Sequence, residues 1–295
     1  MQKKILITGA NGQLGRSLSN LLKDHFNILG SDLNIANIER SSIASIEMDI
    51  TNFENVNNIV KKYNPDIIIN TAAYTNVDQS EVHRDLAWSV NVHGLENIIK
   101  ASEQSTRIIH ISSDYVFDGK NGPYKEDDKT YPISYYGRTK LAGENALRGS
   151  RRKFLILRPN VLYQSTTHDQ ASFFAWVYTS LNQEKNINVV TDQTSNPTWV
   201  IPFSQVILKC IVLNTEGIYH YGSDDNINRY EFALMIARTF DFDESLINPI
   251  ITDDLKQLAA RPKHSGLCTD KIQSELDVKV YPIQYCLDQI KLGMN

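Results

Sequence analysis

Residues 4–22 restrict the fold more than any other stretch. Lys4 to Thr8 is a short, largely apolar run of strand length, followed by Gly9-Ala10-Asn11-Gly12-Gln13-Leu14-Gly15, after which Leu14, Leu18, Leu21 and Leu22 recur at helical spacing. Strand, glycine turn and helix in that order form the context of a dinucleotide fingerprint. Gly9 permits the tight turn, Gly12 lets the backbone approach a pyrophosphate, Gly15 lets the helix pack closely on the strand, and the helix N-terminus faces the anion. The G-x-x-G-x-x-G spacing is one residue longer than the commonest form. Glycine turns also end strands for purely structural reasons, so the rest of the chain has to decide.

The alternation continues. Asn27 to Ser31 reads as a second strand ending at Asp32, placed to accept from an adenosine ribose; this favours NAD over NADP, although Arg16 past the glycines could meet a 2'-phosphate. Ile46 to Asp49 reads as a third strand that puts Asp49 and Ile50 near an adenine, and Thr51-x-x-Glu54 as a capping box for a helix through Lys62. Ile67 to Asn70 is a buried strand leading into Thr71-Ala72-Ala73-Tyr74, small enough for a cofactor to pass. Gln79 to Gln104 reads as one long helix, with Asn91 unusual inside it. Arg107 to Ile111 delivers Ser112-Ser113-Asp114, and Phe154 to Leu157 is the next strand, ending at Arg158-Pro159-Asn160. The predicted fold is α/β: a Rossmann-like doubly wound parallel sheet, with its ligand crevice at the strands' carboxyl ends, and a smaller, mainly helical C-terminal substrate lobe. The motifs all map to that one edge.

Beyond residue 158 the alternation fades. A helix from about Ala171 to Leu181, a strand Asn188 to Val190, a polar loop Asp192 to Thr198 over a pocket, a helix Ser204 to Leu213 and a last sheet strand Ile218 to Tyr221 are expected. Arg229 to Phe240, Asp253 to Leu258 and Pro282 to Leu292 then build the second lobe. The expected division is 1–158 with 184–221 for the dinucleotide-binding domain, and 159–183 with 222–295 for the substrate lobe.

Tyr136 and Lys140 lie four apart in a helix that Ser134 can cap, so a phenol stands one turn from an ammonium. A neighbouring cation favours the phenolate and brings a tyrosine toward acid/base work near neutral pH, and Ser113 can hold the substrate oxygen that takes the proton. A net charge of -4 without basic runs argues against nucleic-acid or anionic-membrane partners. Three cysteines, Cys210, Cys268 and Cys286, show no metal or redox spacing, and no metal is expected. The short apolar start is too brief for a signal peptide, and the reading is cytoplasmic.

The glycine turn, Asn70-Thr71-Ala72-Ala73-Tyr74-Thr75, Ile111-Ser112-Ser113-Asp114-Tyr115-Val116-Phe117-Asp118-Gly119, Tyr136-Gly137-Arg138-Thr139-Lys140, Asp192-Gln193 through Pro197-Thr198, and Arg261-Pro262 through Leu267 together resemble the extended short-chain dehydrogenase/reductases. Within these they are most similar to the sugar-nucleotide reductases of the dTDP-4-dehydrorhamnose reductase family. The resemblance implies hydride transfer from reduced NAD or NADP to the 4-keto carbon of a nucleotide-linked 4-keto-6-deoxy sugar, in deoxysugar and cell-surface polysaccharide biosynthesis; the oligomeric state stays open, a homodimer among the alternatives. Catalysis would fall to Ser113, Tyr136 and Lys140. The cofactor would meet Gly9, Asn11, Gly12, Gln13, Leu14, Asp32, Asp49, Ile50, Ala72, Ala73, Tyr74, Asn91, Tyr136 and Lys140; the sugar nucleotide would meet Ser113, Asp114, Tyr115, Asn160, Val161, Trp199 and Arg261.

Two departures stand out. Val161 occupies the region where the rhamnose enzyme has a tryptophan against the sugar, and Ser113 the place of the family's usual threonine. Trp199 is then either a replacement aromatic wall or a core residue. A basic group near the substrate pyrophosphate is expected from Arg229, Arg261 or Lys263. A 4,6-dehydratase would carry Asp-Glu where this chain has Asp114-Tyr115. A 4-epimerase, or a non-catalytic cofactor-binding subunit like that of methionine adenosyltransferase, stays open.

Overall fold

The computed structural model describes residues 2–35, 43–164 and 172–294. Its centre is a parallel sheet built from β1 (Lys4–Thr8), β2 (Asn27–Asp32), β3 (Ala44–Glu47), β4 (Ile67–Asn70), β5 (Arg107–Ile111) and β6 (Phe154–Pro159), closed at one edge by a later strand. β1 and β4 lie side by side in register Thr8↔Asn70, and the chain order reverses between them, which opens the crevice beyond their carboxyl ends.

Both faces of the sheet are covered. Along β1, Ile5 and Ile7 point to one side and join Leu14, Leu18 and Leu22 of α1 (Gln13–Leu22); Leu6 points to the other, with Ile68, Ile108 and Ile156. That second face is closed by α2 (Phe53–Tyr63) through Val56 and Ile59, and by Leu95 and Ile98. The N-cap of α2 is Asn52, whose side chain accepts from Asn55 N, so the expected Thr51–Glu54 capping box does not form; Thr51 instead donates Oγ1 to Asp49 at 2.7 Å.

The long helix expected over 79–104 is broken. It consists of α3 (Val77–Val82), α4 (Arg84–Trp88), one π turn over Ser89–His93, and α5 (Gly94–Ala101), with His83 at φ -105° and ψ 59° between the first two. The extra residue of the π turn buries Asn91. α6 (Tyr135–Gly149) starts as expected, with Ser134 Oγ accepting from Gly137 N at 3.2 Å.

After β6 come β7 (Leu162–Tyr163), α7 (Phe173–Asn182), β8 (Ile187–Val190), β9 (Thr194–Ser195), β10 (Thr198–Trp199), α8 (Val200–Val212) and β11 (Gly217–Tyr221). β11 pairs with β6 and completes seven strands in the order β11-β6-β5-β4-β1-β2-β3. α8 lies against α1, with Ser204 Oγ 2.8 Å from Ser17 Oγ. α7 starts at Phe173 with Ser172 as its cap, and Ala171, where that helix was expected to begin, lies outside the described residues. The chain ends in β12 (Ile227–Asn228), α9 (Arg229–Thr239), β13 (Ile247–Ile250), α10 (Asp270–Leu276) and α11 (Ile283–Met294). The 253–258 stretch expected in the second lobe overlaps a 3-10 turn, Thr252–Leu255.

A second core gathers Phe174, Val177 and Leu181 of α7, Phe232 and Ile236 of α9, and Ile283, Leu287 and Ile290 of α11. β8 belongs here: it pairs with β13, and Ile187 and Val189 pack in this core, although the sequence reading puts the start of 184–221 with the sheet.

Candidate functional site

Two cavities meet over the carboxyl edge of the sheet. The first, of about 470 Å³, runs along the glycine turn; Gly9, Gly12, Gln13, Leu14, Asp32, Asp49, Ile50, Ala72, Ala73 and Lys140 line it. The second, of about 640 Å³, lies toward the second lobe, with Ser113, Asp114, Tyr115, Val161 and Arg261 on its walls. Thr75, Ser112, Tyr136, Leu162 and Ser172 line both.

The turn is built for a close approach. Gly9 has φ +69°, and a Cβ there would stand 2.6 Å from Ala72 N; a Cβ on Gly15 would stand 2.2 Å from Gly9 O. Backbone and helix therefore touch where a side chain would hold them apart. Gly12 presents a bare Cα to the cavity, and Gln13 and Leu14 open α1, whose first amides have no intrahelical acceptors. Asp32 Oδ2 accepts from Asn11 N at 3.0 Å while its carboxylate lines the cavity, and Arg16 Nη1 donates to the Asn11 carbonyl. A cavity of this size with an amide-rich glycine turn and the Asp32 carboxylate among its walls fits a dinucleotide.

Three expected cofactor residues do not line that cavity. Asn91 is buried and its side chain is fully used: Oδ1 accepts from Tyr74 N at 2.8 Å, and Nδ2 donates to Tyr74 O at 3.1 Å and to Thr139 Oγ1 at 2.9 Å. Asn91 thus pins the Tyr74 backbone through both its N–H and its carbonyl, and Asn11 turns its Nδ2 to the Asn34 carbonyl.

At the junction Lys140 Nζ donates to the Ile111 carbonyl at 2.7 Å, and Ser113 Oγ donates to Asp114 Oδ1 at 2.9 Å. The Tyr115 and Tyr136 rings meet edge to face, centroids 5.5 Å apart. Burial takes the Lys140 ammonium down to about 8, with Glu144 opposing. Burial pushes the Asp114 carboxyl up to about 6, against the Ser265 and Ser113 hydroxyls and Arg229. The Tyr136 phenol is held above its ordinary value, first by burial and then by Asp114 and Tyr115. Lys140, expected to favour the phenolate and lower the Tyr136 pKa, is outweighed in the ligand-free protein: burial dominates and Tyr136 stays protonated.

Two expected substrate residues also point elsewhere. Asn160 is buried with Nδ2 on the Ser265 carbonyl at 2.8 Å. Trp199 packs against the second core, so the alternative of a core tryptophan holds and it gives the large cavity no wall. Val161 does line that cavity, at φ +37°, an uncommon conformation for a β-branched residue. The aromatic wall is made instead by Phe173 and Trp176 of α7, with Arg229 beside them. The sequence reading missed the aromatic pair because aromatic residues three apart on an apolar helix signal a core.

A doubly wound sheet with a glycine turn on β1 and a Tyr-x-x-x-Lys pair where two cavities join defines an extended short-chain dehydrogenase/reductase. The family model described as the RmlD substrate binding domain matches residues 3–291, and the chain belongs to this family, that of dTDP-4-dehydrorhamnose reductase. The dTDP-4-dehydrorhamnose reductase of Aggregatibacter actinomycetemcomitans is 36% identical over 311 residues, covering 98% of each chain. Methionine adenosyltransferase 2 subunit beta of Bos taurus is 29% identical, over 92% of this chain and 82% of that one. The crystal structure of dTDP-4-dehydrorhamnose reductase from Bacillus anthracis in complex with NADP superposes with a TM-score of 0.90 at 31% identity, covering 99% of this chain and 100% of that chain. Among the described residues, no helix is long and apolar enough to cross a membrane.

Proposed function

We propose that the protein is an NAD(P)-dependent reductase that converts the 4-keto group of a nucleotide-linked 4-keto-6-deoxy sugar to a hydroxyl. The observation that carries this is Tyr136, which lines both cavities, so its phenol can face a nicotinamide on one side and a sugar on the other. The cofactor, when bound, supplies the hydride. Ser113 holds the keto oxygen and Tyr136 donates the proton to it; a phenol that burial keeps neutral is the form a reduction consumes. Lys140 then stabilises the resulting phenolate and holds a ribose hydroxyl. Before the sugar binds, the Ser113 hydroxyl donates to Asp114 Oδ1 at 2.9 Å, and holding the keto oxygen requires that one proton to turn from Asp114 to the substrate. The division of labour follows the cores: the sheet binds the cofactor, and the elements around α7, α9 and α11, with β8 included, bind the sugar nucleotide.

Asp32 supports NAD as the preferred cofactor, because its carboxylate accepts from a ribose 2'-hydroxyl and repels a 2'-phosphate. Asp32→Ala is expected to weaken NADH binding more than NADPH binding; equal losses would mean that Asp32 only holds the turn. Free thiols at Cys210, Cys268 and Cys286 support a reducing compartment, the cytoplasm. A homodimer belongs to the same reading, and sedimentation velocity decides it.

The test of the activity mixes protein, reduced cofactor and dTDP-, UDP-, CDP- or GDP-linked 4-keto-6-deoxy sugars and follows the nicotinamide absorbance. Loss of the band is expected, and Tyr136→Phe is expected to slow it by about 100- to 10,000-fold while cofactor affinity changes little. The likeness to a methionine adenosyltransferase subunit favours a second reading, cofactor binding without turnover, and binding without oxidation would establish it.

A further inference from the structure

Asp78 stands in the first turn of α3, just past Thr75 and Val77 of the large cavity's wall, and its carboxylate is taken up by a distant part of the chain. Oδ1 accepts from Ala259 N at 3.0 Å, Oδ2 lies 2.7 Å from Arg261 Nη2, and Arg261 Nη1 donates to the Ala259 carbonyl at 3.1 Å. The Arg261 side chain is 9% exposed and that of Asp78 31%, so this charge-assisted clasp is largely withdrawn from solvent.

The other end of the same stretch is fastened to the second lobe. Thr252 donates its N–H and its Oγ1 to Asp192 Oδ1, at 2.8 and 2.7 Å, and accepts from Gln193 Nε2 at 3.1 Å. Asp192 Oδ2 takes Lys263 Nζ at 2.8 Å. Between these anchors the chain is loose: Lys256 turns at φ +48°, and among the described residues Leu255 to Leu258 make no hydrogen bond. Leu255 and Gln257 nevertheless line the large cavity. Leu255 is 38% exposed against 9% for Tyr136, so the segment lies at the mouth and the phenol at the floor. Leu258, 64% exposed, adds a second apolar side chain there for a bound ligand to cover.

We propose that residues 252–261 are a strap across the mouth of the large cavity, and that Asp78 is the positioning residue that ties its far end to the sheet domain, so that Leu255 and Gln257 stay over a bound sugar nucleotide. With both ends fastened, only the middle has to order on the ligand, which lowers the entropy lost on binding and keeps water from the keto carbon. The identity of the ligand rests on the reductase reading. Arg261 then serves the strap, with Asp78 as its partner.

The test uses the full-length protein and limited trypsin digestion, with mass spectrometry reading the cut at the Lys256–Gln257 bond. The probe is the tightest binder among dTDP-, UDP-, CDP- and GDP-glucose, and at about ten times its Kd it is expected to slow that cut about tenfold. Asp78→Ala is expected to speed the cut about tenfold without probe and to weaken the probe about tenfold. It should also raise KM for the keto sugar about tenfold while kcat and NADH affinity stay within about twofold, the split expected when contacts shared by ground and transition states are lost. Arg261→Lys, which keeps the charge and loses the fork, should fall between Asp78→Ala and the unmodified protein. If the melting temperature shows that Asp78→Ala does not fold, Leu255→Ala decides, since that side chain is exposed in the free protein: about fivefold weaker probe binding supports the strap and unchanged affinity overturns it. A cut at Lys256 that the probe does not slow, or probe affinity and KM within about twofold in Asp78→Ala, overturns the strap even if the protein reduces keto sugars, as does the absence of any probe binding. Protection that needs Asp78, in a protein that oxidises no reduced cofactor, supports the strap while sinking the reductase reading.

Discussion

Glu144→Gln probes a buried charge pair beneath the site. Arg158 Nε and Nη2 donate to Glu144 Oε1 and Oε2 at 2.8 and 2.6 Å, with both side chains buried. Arg158 also stands 5.2 Å over the Phe117 ring, and Nη1 donates to His220 Nε2 at 3.3 Å. His220, taken down to about 3 by burial and Arg158, is neutral and donates Nδ1–H to the Tyr124 carbonyl at 3.0 Å. Removing the carboxylate's charge leaves the guanidinium uncompensated, at a cost of about 3–5 kcal/mol. With an unfolding entropy of about 2.1 cal/mol/K per residue, a 295-residue chain should melt about 5–8 °C lower. Glu144 has a second effect, because its attraction partly offsets the burial that depresses Lys140. Without it the ammonium is less favoured and its pKa falls further below about 8. Activity that needs charged Lys140 is present below that pKa and lost above it, so the basic limb of the kcat/KM profile should move to lower pH. Calorimetry and a pH–rate profile read the two effects separately, and Glu144→Met with Arg158→Met should recover most of the stability. Melting within about 1 °C of the unmodified protein would refute the role of the pair, and an unmoved basic limb would refute its coupling to Lys140.

Gly15→Ala is expected to abolish cofactor binding and lower the melting temperature, since its Cβ would lie 2.2 Å from Gly9 O; Gly149→Ala, with nothing within 4 Å, is expected to be neutral or to stabilise by up to about 1 kcal/mol. Equal behaviour of the two in calorimetry and cofactor titration would rule out the close approach as the reason for glycine at 15. Asp114, held up to about 6 from 3.8, costs the fold free energy wherever it is ionised: the folded chain binds the extra proton between those values, so stability falls as pH rises through them, by about 3 kcal/mol. Asp114→Asn should therefore raise the melting temperature at pH 7 to 8, with the gain vanishing near pH 4, while activity drops. A lower melting temperature at pH 7 would contradict this.

The strands of the sheet are legible because Ile67-Ile68-Ile69 and Ile108-Ile109 are apolar without alternation, as strands covered on both faces must be. The π turn is not legible, because one inserted residue leaves the apolar spacing on either side intact; only Asn91, a polar residue on the buried face, marks the spot. Walls contributed by the second lobe are harder still. On α7, Phe174 and Val177 face the core while Phe173 and Trp176 face the cavity, and an unbroken apolar run over 173–177 does not say which is which. Trp199 and Asn160 failed for the same reason: which way each points is fixed by the pairing of β10 with β7 and by contact with Ser265, 105 residues from Asn160. The Tyr136–Lys140 spacing identified a shared helix face and hence the type of chemistry. It could not identify the protonation state from which that chemistry starts, because Lys140 is desolvated against the Ile111 carbonyl of β5 and Tyr136 against Tyr115 and Asp114. The fold opposes ionisation at Asp114, Lys140 and Tyr136 alike, and the cost of holding all three together at the cavity junction is stability given up for a site that a stability-optimised core would fill with apolar side chains.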